Sequence, residues 1–410
     1  MSQSPLKIQV VSSIAEIPAA DWDACANPGG RQGRRPSSDC TSETPYNPFI
    51  SHSFLSALED SSSAVARTGW YPQHLAAQDG DGRIVGVVPC YLKSHSQGEY
   101  VFDRGWAEAF ERAGGDYYPK VQVSVPFTPA TGRRLLARPG ADAADIRRGL
   151  LQGLRELCAR REASSIHITF MPQDEWQLAA DSGFLQRTDQ QFHWINGDYE
   201  TFDGFLSQLA SRKRKLIKRE RRDAVANGIE IDHLTGTAIT EEAWDAFFAF
   251  YMETGSRKWG RPYLTRKFYS LIGERMADDV LLVMAKRAGR YIAGAINFIG
   301  SDTLYGRHWG AIEHHPFLHF EVCYYQAIDF AIARKLRRVE AGAQGEHKLA
   351  RGYLPQTTRS AHYIENAGFR RAVADYLRRE RQYVEAAGAE LTEMSPFRKN
   401  LAGEEAEQDV

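Results

Sequence analysis

Residues 75–93 read LAAQDGDGRIVGVVPCYLK, and residues 281–300 read LLVMAKRAGRYIAGAINFIG. Each is an apolar run, a short polar turn with Gly, and a second apolar run, which is the pattern of a β-hairpin. The turns are DGDG at 79–82 and RAGR at 287–290. The chain after each hairpin matches as well. Strands are expected at 121–127 and 303–309, amphipathic helices at 142–161 and 321–337, then strands at 165–171 and 338–341. LAADSGFLQR (178–187) and YIENAGFRRA (363–372) read as equivalent helix ends, so 174–182 and 359–367 are expected to be helical up to Gly183 and Gly368. One plan is written twice, with a period too long for a solenoid. Hairpin, strand, crossover helix and strand imply an α/β chain whose sheet carries helices on both faces.

Outward from these strings, 6–11 alternates like an edge strand, 14–25 and 53–59 read as helices, and 192–195 closes the first half. Residues 27–47 are rich in Gly, Pro, Ser and charge, the composition of a loop insertion. The second half opens with helices at 202–227, 241–253 and 266–277. The expected organisation is a first unit over 1–195, a second over 196–398, and an acidic tail over 399–410.

The 410 residues carry 51 Lys plus Arg against 52 Asp plus Glu, a net charge of −1, so any polyanion site must be local. With 43% hydrophobic residues the chain can build a large core. Five cysteines without a C-x-x-C spacing exclude a disulfide framework and a thiolate zinc site, as in a reducing compartment. No leader and no apolar run near 18 residues is recognised, and the expected location is cytoplasmic. The sequence contains no G-x-S-x-G, H-E-x-x-H, Walker A or G-x-G-x-x-G, so serine-hydrolase, zincin and nucleotide-loop chemistry have no motif.

Further strings narrow the field: NPFISHSFLSALE (47–59), GEYVFDRGWAEAFERAGGDYYPK (98–120), VPFTPATGRRLL (125–136), LHFEVCYYQAIDFAI (318–332) and EAGAQGEHKLARGYLPQTTRSAHYI (340–364). Together with the doubled plan they resemble the FemAB-like family of N-acyltransferases, related to Fem-type peptidoglycan aminoacyltransferases. The resemblance implies two tandem GNAT-like units, each a mixed, largely antiparallel sheet flanked by helices. It implies transfer of an acyl or aminoacyl group to the amine of a small molecule or peptidoglycan precursor. No tightly bound cofactor is implied, and the donor is aminoacyl-tRNA or acyl-CoA. The diphosphate loop of acetyl-CoA enzymes is missing; the nearest string, RHWGAI (307–312), runs into EHHPFLHFE before the helix. An acyl-CoA-dependent enzyme therefore stands as the alternative, and a non-catalytic binder of wall precursor or nucleic acid as the alternative of another class.

Against that background particular residues acquire expected roles. SRKRKLIKRERR (211–222) holds eight basic residues in twelve, and Arg212, Lys213, Arg214, Lys215 and Lys218 are expected to bind phosphate or tRNA, unless the run is a solvated helix face. In a GNAT unit the strand before EAGAQGEHK (340–348) splays from its neighbour to open the donor cleft. Glu346 and His347 are therefore the expected proton acceptors, with Lys348 and Arg351 on substrate and Glu321 orienting the amine or capping its helix. Tyr117, Tyr118, Lys120 and Arg133 are expected to grip the acceptor, or else to pack between the units. His315 and His319 lie four apart, but Pro316 between them argues against a helical metal pair, and no metal is expected.

Overall fold

The computed structural model describes residues 6–31, 44–259, 262–342 and 345–398, apart from the side chains of Arg257, Lys258, Trp259 and Glu346. The centre of the 27–47 insertion and the expected acidic tail lie outside the described residues. The insertion's two described ends are tied together, for Asn27 donates to the Asn47 carbonyl at 3.1 Å and accepts from its N–H at 2.9 Å.

The first half contributes β1 (Lys7–Val11), β2 (Trp70–Pro72), β3 (His74–Gln78), β4 (Ile84–Val88), β5 (Cys90–Lys93), β6 (Lys120–Val123), β7 (Leu136–Ala137), β8 (Ser165–Ile168) and β9 (Leu185–Ile195). The second contributes β10 (Ile229–Leu234), β11 (Val280–Arg287), β12 (Arg290–Ile299), β13 (Thr303–Ala311), β14 (Arg338–Glu340) and β15 (Leu354–Ile364). The first expected hairpin exists but is bent. Its outer part, β3 and β4, joins β1 and β7 in a four-stranded sheet, while β2 and β5 belong to an eleven-stranded one. Pro72 and Pro89 stand at the bend, where a residue without an N–H interrupts a ladder at least cost.

The large sheet runs β10-β11-β12-β13-β14-β9-β15-β8-β6-β5-β2. This order exchanges the final strands of the two halves. β9, from the first half, pairs with β14 (Glu340 opposite His193), and β15, from the second, pairs with β8 (His362 opposite His167). The boundary at 195/196 therefore divides the sequence without dividing the sheet.

Helices cover both faces. α1 (Ala19–Ala26), α2 (His52–Asp60), α3 (Arg104–Arg112), α4 (Ala143–Arg160) and α5 (Gln173–Asp181) come from the first half. α6 (Phe202–Ser207), α7 (Ser211–Ala224), α8 (Glu241–Trp259) and α9 (Arg266–Met276) open the second. α10 (Leu318–Phe320) then runs through a π-helical turn (Glu321–Tyr325) into α11 (Gln326–Ala333), and α12 (Ala367–Glu393) follows β15. β11 shows why its sequence is continuously apolar. Val280, Leu282 and Met284 enter one core while Leu281, Val283 and Ala285 enter the core on the opposite face. The first of these cores is shared between the halves, with Phe49 of one half 5.0 Å from Phe298 and 5.1 Å from Tyr305 of the other. At this point the two halves are in direct aromatic contact.

Two expected helices need correction. The helix expected over 359–367 is not formed: β15 extends to Ile364, and the -GF- at 368–369 lies in the first turn of α12, with Asn366 accepting from the Phe369 N–H at 2.9 Å. Gly183 instead ends α5 at φ +88°, so the two -GF- strings are not equivalent. The single helix expected over 202–227 is α6 and α7, and β10 follows it.

α8 lies directly on β13. A Cβ added to Gly310 would overlap the Phe250 carbonyl, a backbone group with nowhere to go. Gly310→Ala is expected to lower stability by about 1–3 kcal/mol, the ordinary cost of overpacking, and a urea unfolding curve will report it.

Candidate active site

In each half one pair of parallel neighbours opens a gap in the sheet. In the first, β6 and β8 pair from Val121/Ile166 to Val123/Ile168 and then diverge. That gap is plugged. Arg134, 1% exposed, lies in it and donates to the carbonyls of Thr169 (2.9 Å), Ala130 (2.8 Å) and Gly132 (2.8 Å). In the second half, β13 and β14 pair only from Thr303/Arg338 to Tyr305/Glu340. Beyond them, Gly306 to Ala311 have no ladder partner on that side among the described strands. A β-bulge marks the parting: on β12, Ile296 faces His308 and Asn297 faces Gly306, so Arg307 is the extra residue. Bulges re-aim side chains and recur beside active sites.

Glu340 stands where the strands separate. It is 3% exposed, and its Oε2 accepts from the Thr131 N–H at 3.4 Å, within the loop that carries the plug. Arg338 lies 3.5 Å from Oε1, and His193 lies 4.0 Å from Oε2. Oε1 is buried without a hydrogen bond. Burial pushes the carboxyl up to about 7, only partly opposed by Arg338 and the Thr131 N–H. His193 is held neutral by burial, down to about 3, and its Nε2 is 3.2 Å from Gln191 Oε1.

The other mouth of the parting is built by α7, the π-turn and residues 345–351. Glu321 is buried and paired with Arg221 at 3.0 Å, and it accepts from Gln326 at 2.6 Å. Arg221 also meets Asp329 at 2.6 Å. Arg351 is paired with Glu220 of α7 at 2.9 and 3.0 Å, donates to the His347 carbonyl at 2.7 Å, and stacks 3.4 Å from the centre of Phe320. Tyr325 donates to the same Glu220 carboxylate. Glu321 and Arg351 are thus committed to internal pairs. His347 is exposed, with Nε2 3.0 Å from the Tyr324 hydroxyl. Lys348 is buried, donates to the carbonyls of Ala341 (2.6 Å) and Gly342 (3.1 Å), and is pushed down to about 8 by burial. The side chain of Glu346 lies outside the described residues.

α7 has two faces. Ile217, Glu220 and Ala224 are buried, so the run does supply a core face through Ile217. Arg212 and Lys215 are exposed, and Lys213 and Arg214 are half-buried; none of the four has a carboxylate within ion-pair distance among the described residues. Lys218 pairs with Asp203 at 2.8 Å.

The first-half residues expected to hold an acceptor are turned inward. Lys120, fully buried, donates to Ser96 and Glu99, each at 2.7 Å, and to Asp103. Tyr117 donates to Asp103 at 2.7 Å, and Arg133 donates to the carbonyls of Ala137 (3.0 Å) and Ala26 (3.3 Å). Tyr118 is half-buried, its hydroxyl 2.8 Å from Ser96 Oγ. All of these polar partners belong to the first half, so these four residues do not join the second parting. His315 pairs with Glu313 at 3.0 Å and His319 lies 5.2 Å from Trp309; among the described residues no three His, Cys, Asp or Glu are grouped to hold a metal. No described helix is long and apolar enough to cross a membrane.

Tandem GNAT-like units, with one parting plugged and the other framed by a bulge, a buried carboxylate and a basic helix, define a doubled acyltransferase-type fold. The chain belongs to the FemAB-like family of peptidoglycan biosynthesis and recognition, whose model matches residues 13–399. It is similar to FemX at 13% identity, with 81% of this chain and 96% of that one covered and a TM-score of 0.51. It is also similar to the C-terminal domain of a putative lysylphosphatidylglycerol synthetase from Agrobacterium fabrum, at 8% identity, 89% and 96% coverage and a TM-score of 0.53. At these identities the likeness is one of fold. No curated protein matches the chain.

Proposed function

We propose that the chain is a cytoplasmic N-acyltransferase that moves an acyl or aminoacyl group onto an amine of a peptidoglycan precursor, at the parting of β13 and β14. The observation that carries this reading is the asymmetry of the two partings: Arg134 fills the first, and the second keeps a bulge and a carboxylate raised to about 7 by burial. The amine attacks the acyl carbon, the amine's proton passes to Glu340, and the donor's carrier leaves with the other electron pair. A group that titrates near neutrality suits that step, since it is ionised often enough to accept a proton and basic enough to hold it. His347, exposed and tied to Tyr324, stands at the opposite mouth, where a donor enters.

The outward face of α7 fits a phosphate-rich carrier, and aminoacyl-tRNA is the donor that best uses several cations. Offering labelled aminoacyl-tRNA or acyl-CoA with an amine-bearing muramyl peptide, and measuring acylated peptide, tests both donors at once. Product from neither donor, with precursor bound all the same, would make the chain a binding module. Reversal of charge in Arg214→Glu with Lys215→Glu is expected to weaken tRNA binding about tenfold or more, and to flatten its dependence on salt by about two counterions. Filter binding between 50 and 200 mM salt (roughly the range over which such contacts weaken steeply) checks this.

A further inference from the structure

Arg307, the extra residue of the bulge in β13, meets two separate signature strings. It donates to the carbonyl of Phe127, and its guanidinium lies beside Tyr100. Those two residues come from the 125–136 and 98–120 strings, and both hold φ of +59°. Left-handed backbone at two aromatic residues is disfavoured, and it persists only where surrounding structure enforces it, most often at ligand sites. Here both strained positions converge on one guanidinium.

The guanidinium has no counter-charge. Among the described residues no carboxylate lies within ion-pair distance of it. Its neighbours Tyr251 and Tyr269 keep their protons, Tyr251 being pushed by burial up to about 12 and Tyr269 well above its ordinary value. His308 beside it is held neutral by burial, down to about 3. A half-buried arginine with five N–H donors, only part of them used, is set for an oxyanion. Its side of the sheet is equally informative. His308 packs 5.0 Å from Tyr251 on the α8 face, whereas Trp309 packs 5.2 Å from His319 on the face of α7 and the π-turn. Arg307 therefore opens away from the proposed donor entrance.

We infer that Arg307 anchors an oxyanion of the acceptor, so that the acceptor is an amine that also carries a carboxylate or phosphate, held by its anionic end on the α8 side of the parting. This rests on the acyl-transfer reading for the word acceptor, but the anchor itself is an equilibrium property. The test is calorimetric titration of the full chain with L-alanyl-L-lysine, with the same dipeptide as its C-terminal amide, and with inorganic phosphate. A carboxylate anchor predicts that the amide binds about 10- to 100-fold more weakly than the acid, the range for a lost charge-assisted hydrogen bond. A phosphate anchor predicts that phosphate binds and that acid and amide bind alike and weakly. With a carboxylate anchor Arg307→Gln removes the acid–amide difference, with a phosphate anchor it removes phosphate binding, and Arg307→Lys keeps much of either, so a glutamine variant that unfolds leaves the lysine variant as the readout. Undiminished binding by a folded Arg307→Gln, or no binding of any probe to the wild type, overturns the anchor. Binding at Arg307 without acyl transfer from either donor would overturn the transfer reading alone.

Discussion

Glu340→Gln is expected to cut acyl transfer about 10²- to 10⁴-fold, the usual contribution of a positioned base, while leaving the protein folded. The substitution keeps the shape and the contact to the Thr131 N–H and removes only basicity. The wild-type rate should rise with pH through about 7 and level off, because Glu340 must lose its proton before it can accept one. The variant should lack that limb. Stability gives an independent readout with a definite sign. Burial raises the folded-state pKa above the ordinary carboxyl value of 4.5 to about 7, so between those values the folded chain holds a proton that the unfolded chain has released. This position's contribution to stability therefore falls as pH rises across that window. Glu340→Gln should flatten the fall and melt at or above the wild-type temperature at pH 8. A variant that transfers normally would remove Glu340 from the chemistry.

Lys120→Met should be the most destabilising single change in the first half, costing about 3–5 kcal/mol, as removal of one partner from a buried ion pair does. Lys120 is the main counter-charge for two buried carboxylates. Burial works against Asp103, yet Lys120 and then His167 hold it below its usual value. Burial pushes Glu99 up to about 7 even with Lys120 beside it. Lys93, pushed by burial down to about 7 and 3.9 Å from Glu99, cannot take over the pairing. In the variant both carboxyls rise and bind protons that the unfolded chain has shed. The deficit should therefore be larger at pH 8 than at pH 5 in urea unfolding. Glu99→Gln with Asp103→Asn, added to Lys120→Met, should recover much of the loss, since the charges left stranded are then gone. An equal deficit at both pH values would show that lost packing, not stranded charge, sets the cost.

The same buried polar face explains what the sequence concealed. The hairpins, the crossover helices and the family were legible because apolar alternation and turn residues are local signals. β15 was not, because Thr358, Ser360 and His362 are buried polar residues where an apolar face is looked for. β8 shares the feature through Ser165 and His167, and the two histidines meet across the pair with Nδ1 atoms 2.7 Å apart. In the string 340–348 the sequence points to Glu346 and His347 as candidates, and its first residue, Glu340, joins them only once the fold is known. Nothing local distinguishes Glu340. Its perturbation comes from Thr131, Arg338 and the depth of the sheet, which only the fold assembles. The basic character of α7 was plain. That Glu220 and Arg221 turn inward to brace the 345–351 loop and the π-turn was not, because the pairing partners lie a hundred positions or more away.

The exchanged strands also set the order in which the molecule can come into being. As the chain leaves the ribosome, β8 and β9 are delivered with the slot between them vacant, since β15 has yet to be made. The early half must keep one edge of β8 and both edges of β9 from other chains until nearly the whole polypeptide has emerged. Its duplicated parts are consequently no longer interchangeable modules: a gene rearrangement that moved one of them elsewhere would carry off a strand its sibling requires.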